Sequence, residues 1–289
     1  MDNDRYAYWP LPERPAIRWP NGARIAFWII PNVEHFRFDK GFQGQSGPLP
    51  DVPGFAQRDY GPRVGIWRFM DIFDKYGIRA TVALNADVCR FEPQIVRAGM
   101  ERGWEWMGHG VTNSERLSGM AEGQERETVR STVQAIADFT GKAPRGWLGP
   151  GLSETYVTPE LLAEAGIEYV CDWCADDQPF PMRVSKGRLI SVPYTQELND
   201  IPVFMAKHHT AEQFYRIICD QFDVLYEEGE RAGRVMSIAL HPYLTGHPFR
   251  AKWLERALDY ITRHKDVWLA TGGEIADWYY QNYYDQAPK

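Results

Sequence analysis

Short apolar runs rich in β-branched and aromatic residues alternate along this chain with stretches of helical period, and that alternation constrains the fold more than any other feature. Parallel strands need long crossovers between them, and helices supply these, so the pattern predicts βα units around a parallel sheet. Strands are predicted over 24–31, 79–84, 104–108, 146–149, 168–172, 189–192, 235–240 and 267–270. Helices are predicted over 64–76, 93–102, 122–140, 159–165, 212–229 and 251–264, with a last one near 274–284. This is a barrel-like count, and no linker or internal repeat divides it, so 1–289 reads as one α/β domain. Two segments stand outside the pattern, 1–20 with its prolines and aromatics and 36–62 with its glycines and prolines. A long irregular loop in a compact domain is usually functional, so 36–62 is expected to act as a lid over a site or as an oligomer contact.

Composition narrows the function classes. A chain with 44% hydrophobic and 25% charged residues buries a sizeable core. Its net charge of −7 and the lack of any basic stripe argue against a nucleic-acid partner. No apolar run has the length to cross a bilayer, and the first residues lack the basic-then-apolar pattern of a signal peptide, so no membrane partner and a cytoplasmic location are expected. Four cysteines are too few for a disulfide scaffold. Cys171 and Cys174 have the spacing of a redox or metal pair, but they follow a strand rather than open a helix and read as structural thiols.

In parallel barrels the site lies at the C-terminal ends of the strands, where polar groups converge without disturbing the core. Here the first predicted strand ends in Asn32-Val33-Glu34-His35, the third in Gly108-His109-Gly110, the fourth in Gly149-Pro150-Gly151 and the seventh in Leu240-His241-Pro242. Each has a bland reading alone, as a surface carboxylate or a turn. Together they place Glu34, His109 and His241 at equivalent strand ends, which predicts a catalytic cluster.

At these positions the chain resembles the polysaccharide deacetylase family, the NodB-homology fold, and within it the branch that includes metal-independent allantoinases. In the deacetylases the first motif is Thr-Phe-Asp-Asp-Gly, supplying a base and a metal ligand, and here it is replaced by Asn32-Val33-Glu34-His35. The second, His-Ser/Thr-x-x-His, becomes His109-Gly110-Val111-Thr112-Asn113, which lacks the second imidazole. The third, Arg-x-Pro-x-Gly, survives loosely as Trp147-Leu148-Gly149-Pro150-Gly151, and the last, Leu-x-His, as Leu240-His241-Pro242. The allantoinase-like branch shares the Glu of the first motif and the His-Gly of the second. The resemblance implies a distorted (β/α)7 barrel, hydrolysis of C–N bonds and a homo-oligomer, a tetramer or a dimer.

The cofactor expectation stays open between none and one divalent metal such as zinc. Catalytic zinc takes three protein ligands; His35, His109, Asn113 and Glu34 are the residues on hand, and the Asn113 amide is a poor one. Without a metal, hydrogen-bond donors must polarise the carbonyl, losing one such donor costs roughly 3–4 kcal/mol, and backbone N–H groups of 149–152 are the expected donors. Glu34 is expected as general base, its basicity favoured by partial burial, with His109 orienting water and His241 as general acid. Asn32, Trp147, Gly149, Pro150, Gly151 and Trp173 are expected to bind substrate, and Trp147, Trp173, Phe180 and Tyr194 suit a flat ring. The expected substrate is a small cyclic amide, imide or ureide, with a cyclic imide preferred because His35 departs from the Glu-Glu arrangement of the allantoinases. The alternatives are N-deacetylation of a sugar or polysaccharide, and an inactive oligomeric binding module.

Overall fold

The computed structural model describes residues 3–41 and 47–288. Its sheet has the order β6-β7-β5-β4-β3-β2-β1-β8, with β9 also paired to β1. The strands are β1 Ile25–Val33, β2 Thr81–Leu84, β3 Glu105–Gly108, β4 Gly146–Trp147, β5 Tyr169–Val170, β6 Phe180–Met182, β7 Leu189–Ser191, β8 Arg234–Leu240 and β9 Val267–Leu269. All pair in parallel except β6 with β7. The first half of β1 pairs with β9 at Ile25–Phe27, and its end pairs with β2 at Asn32 and Val33. That shared edge splays the barrel. On the far side, the chain after β7 meets β8 through one parallel bridge, Asn199 to Ala239, and the Ala239 N–H donates to Leu198 O at 3.0 Å. The result is the expected distorted barrel, with β1 to β5, β7 and β8 as its seven parallel wall strands, β9 added in parallel beside β1 and β6 as an antiparallel flap.

Alternation along the strands sorts the core into layers. Ile25, Phe27 and Ile29 of β1 pack outward with Phe69, Phe73, Ile218, Phe222 and Leu258 of the helices. Ala26, Trp28 and Ile30 pack inward with Ala83, Met107, Leu148, Tyr169, Ile190 and Ala239. All nine residues of β1 are buried, as a central strand covered on both faces requires. A slip of one residue would exchange the two faces, so the packing fixes the register.

The predicted helices form as α2 Ile66–Lys75, α4 Pro93–Glu101, α5 Glu122–Thr140, α6 Thr158–Glu164, α7 Ala211–Glu228, α8 Pro248–Thr262 and α9 Gly272–Asn282. Thr210 and Gln213 form a capping box on α7, and Thr271 and Glu274 one on α9, each cap contributing about 1 kcal/mol. Two helices were not expected, α1 Val52–Tyr60 and α3 Ala86–Phe91. Pro53 and Gly54 look like helix breakers, but proline is tolerated in a first turn, and the Asp51 carboxylate accepts the Gly54 N–H at 3.0 Å. The segment 36–62, expected to be irregular, therefore ends in a helix; its residues 42–46 lie outside the described ones. The N-terminal segment is irregular as expected, apart from two single 3-10 turns. It is pinned by Arg14 on Asp176 at 2.5 Å and by the Trp19 indole N–H on Arg234 O at 2.9 Å. Among the described residues, no helix is long and apolar enough to cross a membrane.

Candidate active site

The alternation that builds the barrel interior also aims the site. Ala26, Trp28 and Ile30 face inward, so the same parity carries Asn32 and then Glu34 to the inner rim. Met107 inward leads to His109, and Val235 and Ala239 inward lead to His241. The three residues converge on one cavity of about 260 Å³, lined also by Asn32, Asn113, Arg116 and Tyr194. Glu34 Oε1 is 3.5 Å from His109 Nε2, 3.6 Å from His241 Nε2 and 2.8 Å from the Asn113 amide nitrogen that donates to it.

Each imidazole is fixed from behind. His109 Nδ1 donates to Leu148 O at 2.5 Å, which leaves the lone pair of its neutral form on Nε2. His241 Nδ1 donates to Asp200 Oδ1 at 2.7 Å, while Asp200 Oδ2 accepts the His241 backbone N–H at 2.8 Å and the Thr245 hydroxyl at 2.6 Å. Burial opposes charge on His241, but the carboxylates of Asp200 and Glu34 outweigh it and raise its pKa to about 10. Burial likewise pushes Glu34 upward, yet the His241 charge and the closeness of both imidazoles win and bring it down to about 2. Contrary to the expectation that burial favours a base near neutrality, the resting site is thus an ion pair, carboxylate against imidazolium.

Three buried atoms of the cluster find no hydrogen-bond partner among the described residues: Glu34 Oε2, His109 Nε2 and Asn113 Oδ1. All three are acceptors, so the cavity demands an occupant rich in donors. As a metal centre the donor set falls short. His241 is protonated, Asn113 offers an amide, and Glu34 with His109 makes two ligands where zinc takes three. Among the described residues, no group of three His, Cys, Asp or Glu is placed to hold a metal ion.

Several expected site residues lie elsewhere, for one reason. His35 has the opposite parity to Glu34 and turns out of the barrel, where Nδ1 meets Glu92 at 3.0 Å and the ring stacks on Phe91 at 4.5 Å. Trp147 has the opposite parity to Leu148 and is buried in the outer core with Val129 and Leu162. Trp173 packs on the same outer cluster, edge-on to Tyr6 at 5.7 Å, with its indole N–H on Glu154 at 3.0 Å. Phe180 belongs to that layer too. Pro150 is buried outside the cavity lining, whereas Asn32, Gly149 and Gly151 do line it. The expected backbone donors are partly committed: Gly149 N–H to Asp172 at 2.8 Å and Leu152 N–H to Gly149 O at 2.8 Å. Cys171 is buried, Cys174 exposed, and both are free thiols, as expected of structural residues.

Sequence reasoning missed Asp200, Asn199, Gln196 and Arg116. An acidic side chain in Leu198-Asn199-Asp200, in the irregular stretch after the predicted strand 189–192, was the available signal for the first. Arg116 lines the cavity, makes no hydrogen bond or ion pair with any described residue, and burial lowers its pKa.

The comparisons with known proteins follow the same line. A family model described as polysaccharide deacetylase matches residues 58–170. A putative polysaccharide deacetylase of Schizosaccharomyces pombe is 31% identical over 89% of this chain and 91% of its own length. Among solved structures, a probable polysaccharide deacetylase from Pseudomonas aeruginosa PAO1 superposes with a TM-score of 0.85 at 29% identity, covering 93% of this chain and 95% of that one. The Puue allantoinase superposes with a TM-score of 0.83 at 28% identity, covering 93% and 94%.

Proposed function

This chain belongs to the polysaccharide deacetylase family, whose members are hydrolases, and from that premise we propose that it opens a C–N bond in a small cyclic amide, imide or ureide. The observation that carries this reading is the set of unpartnered acceptors, Glu34 Oε2, His109 Nε2 and Asn113 Oδ1, in a cavity of about 260 Å³. A cyclic imide or ureide is compact, presents N–H donors and arrives with a water that supplies two more. The similarity to an allantoinase over nearly the whole chain supports the same substrate class.

In the proposed mechanism, water sits between Glu34 and His109 Nε2 and attacks the ring carbonyl. Arg116, with no anion among the described residues to neutralise it, holds the carbonyl oxygen as negative charge develops there. His241 delivers its Nε2 proton to the leaving nitrogen while its Nδ1 proton stays on the ring, donated to Asp200. A carboxylate with a pKa of about 2 is a weak base at rest. It is weak because His241 is charged beside it. As His241 gives up its proton, that charge disappears, burial becomes the dominant influence on Glu34, and its affinity for the water proton rises. Acid and base thus strengthen each other within one step.

The second reading is release of acetate from an N-acetylated sugar, which the names of the relatives favour. One panel separates the two: ring opening of succinimide, hydantoin and allantoin followed by absorbance, against acetate release from chitooligosaccharides. Turnover of the rings without acetate release is expected. Acetate release with no ring opening reverses the assignment, and tight binding of rings without turnover of any substrate favours an oligomeric binding module.

A further inference from the structure

Two carboxyl groups that the proposed chemistry leaves unused stand directly behind the cavity wall. Asp172 follows β5 with the parity of Val170, which packs in the outer layer, while Leu148 and Cys171 pack in the inner one. Asp172 Oδ1 accepts the Gly149 N–H at 2.8 Å. The carbonyl of the same peptide group, Leu148 O, accepts the Nδ1 proton of His109 at 2.5 Å. In a trans peptide the N–H and C=O point opposite ways, so this one peptide plane is bonded to a carboxyl outside the barrel and to an imidazole inside it. Glycine at 149 permits the approach, since a Cβ there would lie 2.6 Å from Ser153 O and 3.0 Å from Asp172 Oδ2.

Glu154, in the turn beyond Gly151, meets Asp172. Its Oε1 accepts the Trp173 indole N–H at 3.0 Å, and its carboxyl lies beside that of Asp172. The remaining oxygens, Glu154 Oε2 and Asp172 Oδ2, are buried and have no other donor. Two facing acceptors need a proton between them.

We propose that Glu154 and Asp172 are positioning residues that hold one shared proton and, through the Leu148–Gly149 peptide, fix the tautomer of His109 that turns the Nε2 lone pair into the cavity. Burial raises Glu154 to about 7, and burial with the charge of Glu154 raises Asp172 well above the carboxylate range. Around them, Glu125 of α5 opposes ionisation of Glu154 and Arg5 of the N-terminal segment favours it, while Cys171 and Cys174 flank Asp172 on its own segment. When both carboxyls ionise, they repel, the hold on the Gly149 N–H loosens, and the peptide no longer restrains His109.

This inference rests on the assignment of His109 to the reaction, but its test does not. The test is ring-nitrogen NMR of histidine-labelled full-length protein without substrate, together with pH–rate profiles, for wild type, Glu154→Gln and Asp172→Asn. Wild type should hold His109 as the Nδ1–H form at acid to neutral pH. As pH rises far enough to ionise both carboxyls it should lose that single form, with kcat falling ~tenfold while KM changes little. The glutamine of Glu154→Gln offers a donor that does not titrate, so it should keep both tautomer and rate through that range, and Asp172→Asn should lower kcat ~tenfold at every pH. A Glu154→Gln profile that overlays wild type, or a His109 tautomer unchanged in Asp172→Asn, overturns the proposal. If Asp172→Asn does not fold, the Glu154→Gln comparison decides alone. Loss of ring-opening activity with the tautomer response intact would overturn the substrate assignment and leave this relay standing.

Discussion

Glu34 Oε1 and His241 Nε2 stand 3.6 Å apart inside the barrel mouth, with side chains that are 4% and 5% exposed, and each holds the other in its charged form. A carboxylate held at about 2 and an imidazolium held at about 10 form one unit, and removing either member changes the other.

Glu34→Gln keeps the shape of the side chain and removes its basicity, so kcat should fall at least ~100-fold with the fold intact by circular dichroism. Retention of more than about a tenth of wild-type kcat would move the base elsewhere.

Asp200→Asn should act through His241. Without the carboxylate the imidazole loses its strongest raising influence, and the alkaline limb of kcat/KM should move down from about 10, most clearly in a Glu154→Gln background where the step from the Glu154–Asp172 pair is absent. Replacing a buried acceptor of three hydrogen bonds should also cost about 2–3 kcal/mol in urea unfolding. An unchanged alkaline limb would separate Asp200 from proton transfer.

Stability should follow pH with opposite signs at the two groups. His241 is raised in the folded state, so its contribution is complete below the ordinary value of 6.5 and is lost as pH climbs through about 10. Glu34 is lowered, so its contribution is complete above 4.5 and is lost as pH falls through about 2. The pair therefore stabilises most between 4.5 and 6.5, and the melting temperature of Glu34→Gln should decline less than that of wild type between pH 6.5 and 10.

Arg116→Gln should lower kcat on ring substrates ~100-fold while leaving thermal stability within about 0.5 kcal/mol, because the guanidinium bonds no described residue. A stability loss without a kinetic effect would give Arg116 a structural role instead.

Exhaustive chelation should leave kcat unchanged, and metal analysis of the purified protein should find no stoichiometric ion, since Glu34 and His109 alone do not complete a zinc site. Activity that disappears with chelation and returns with zinc would contradict the reading of the donor set.

The amino-acid sequence by itself determined the strand–helix alternation, the parallel sheet and the ends at which Glu34, His109 and His241 appear, because hydrophobic period and turn residues are local properties. Parity within a strand was also written there: Ala26, Trp28 and Ile30 lead inward to Glu34, so His35 must face out, and Leu148 inward sends Trp147 out. Reading motifs as blocks of neighbours concealed that distinction. Only the tertiary structure decided the rest. Asp200 reaches His241 across 41 residues, and Asp172 reaches His109 through a peptide of another strand. The charge state of the site came from these approaches, since a pKa depends on which groups burial brings together and not on which residues adjoin in the chain. The antiparallel flap β6 and the helix α1 escaped for a related reason, since a three-residue strand or a helix opening on Pro53 and Gly54 forms only where neighbouring structure and a cap complete its hydrogen bonds.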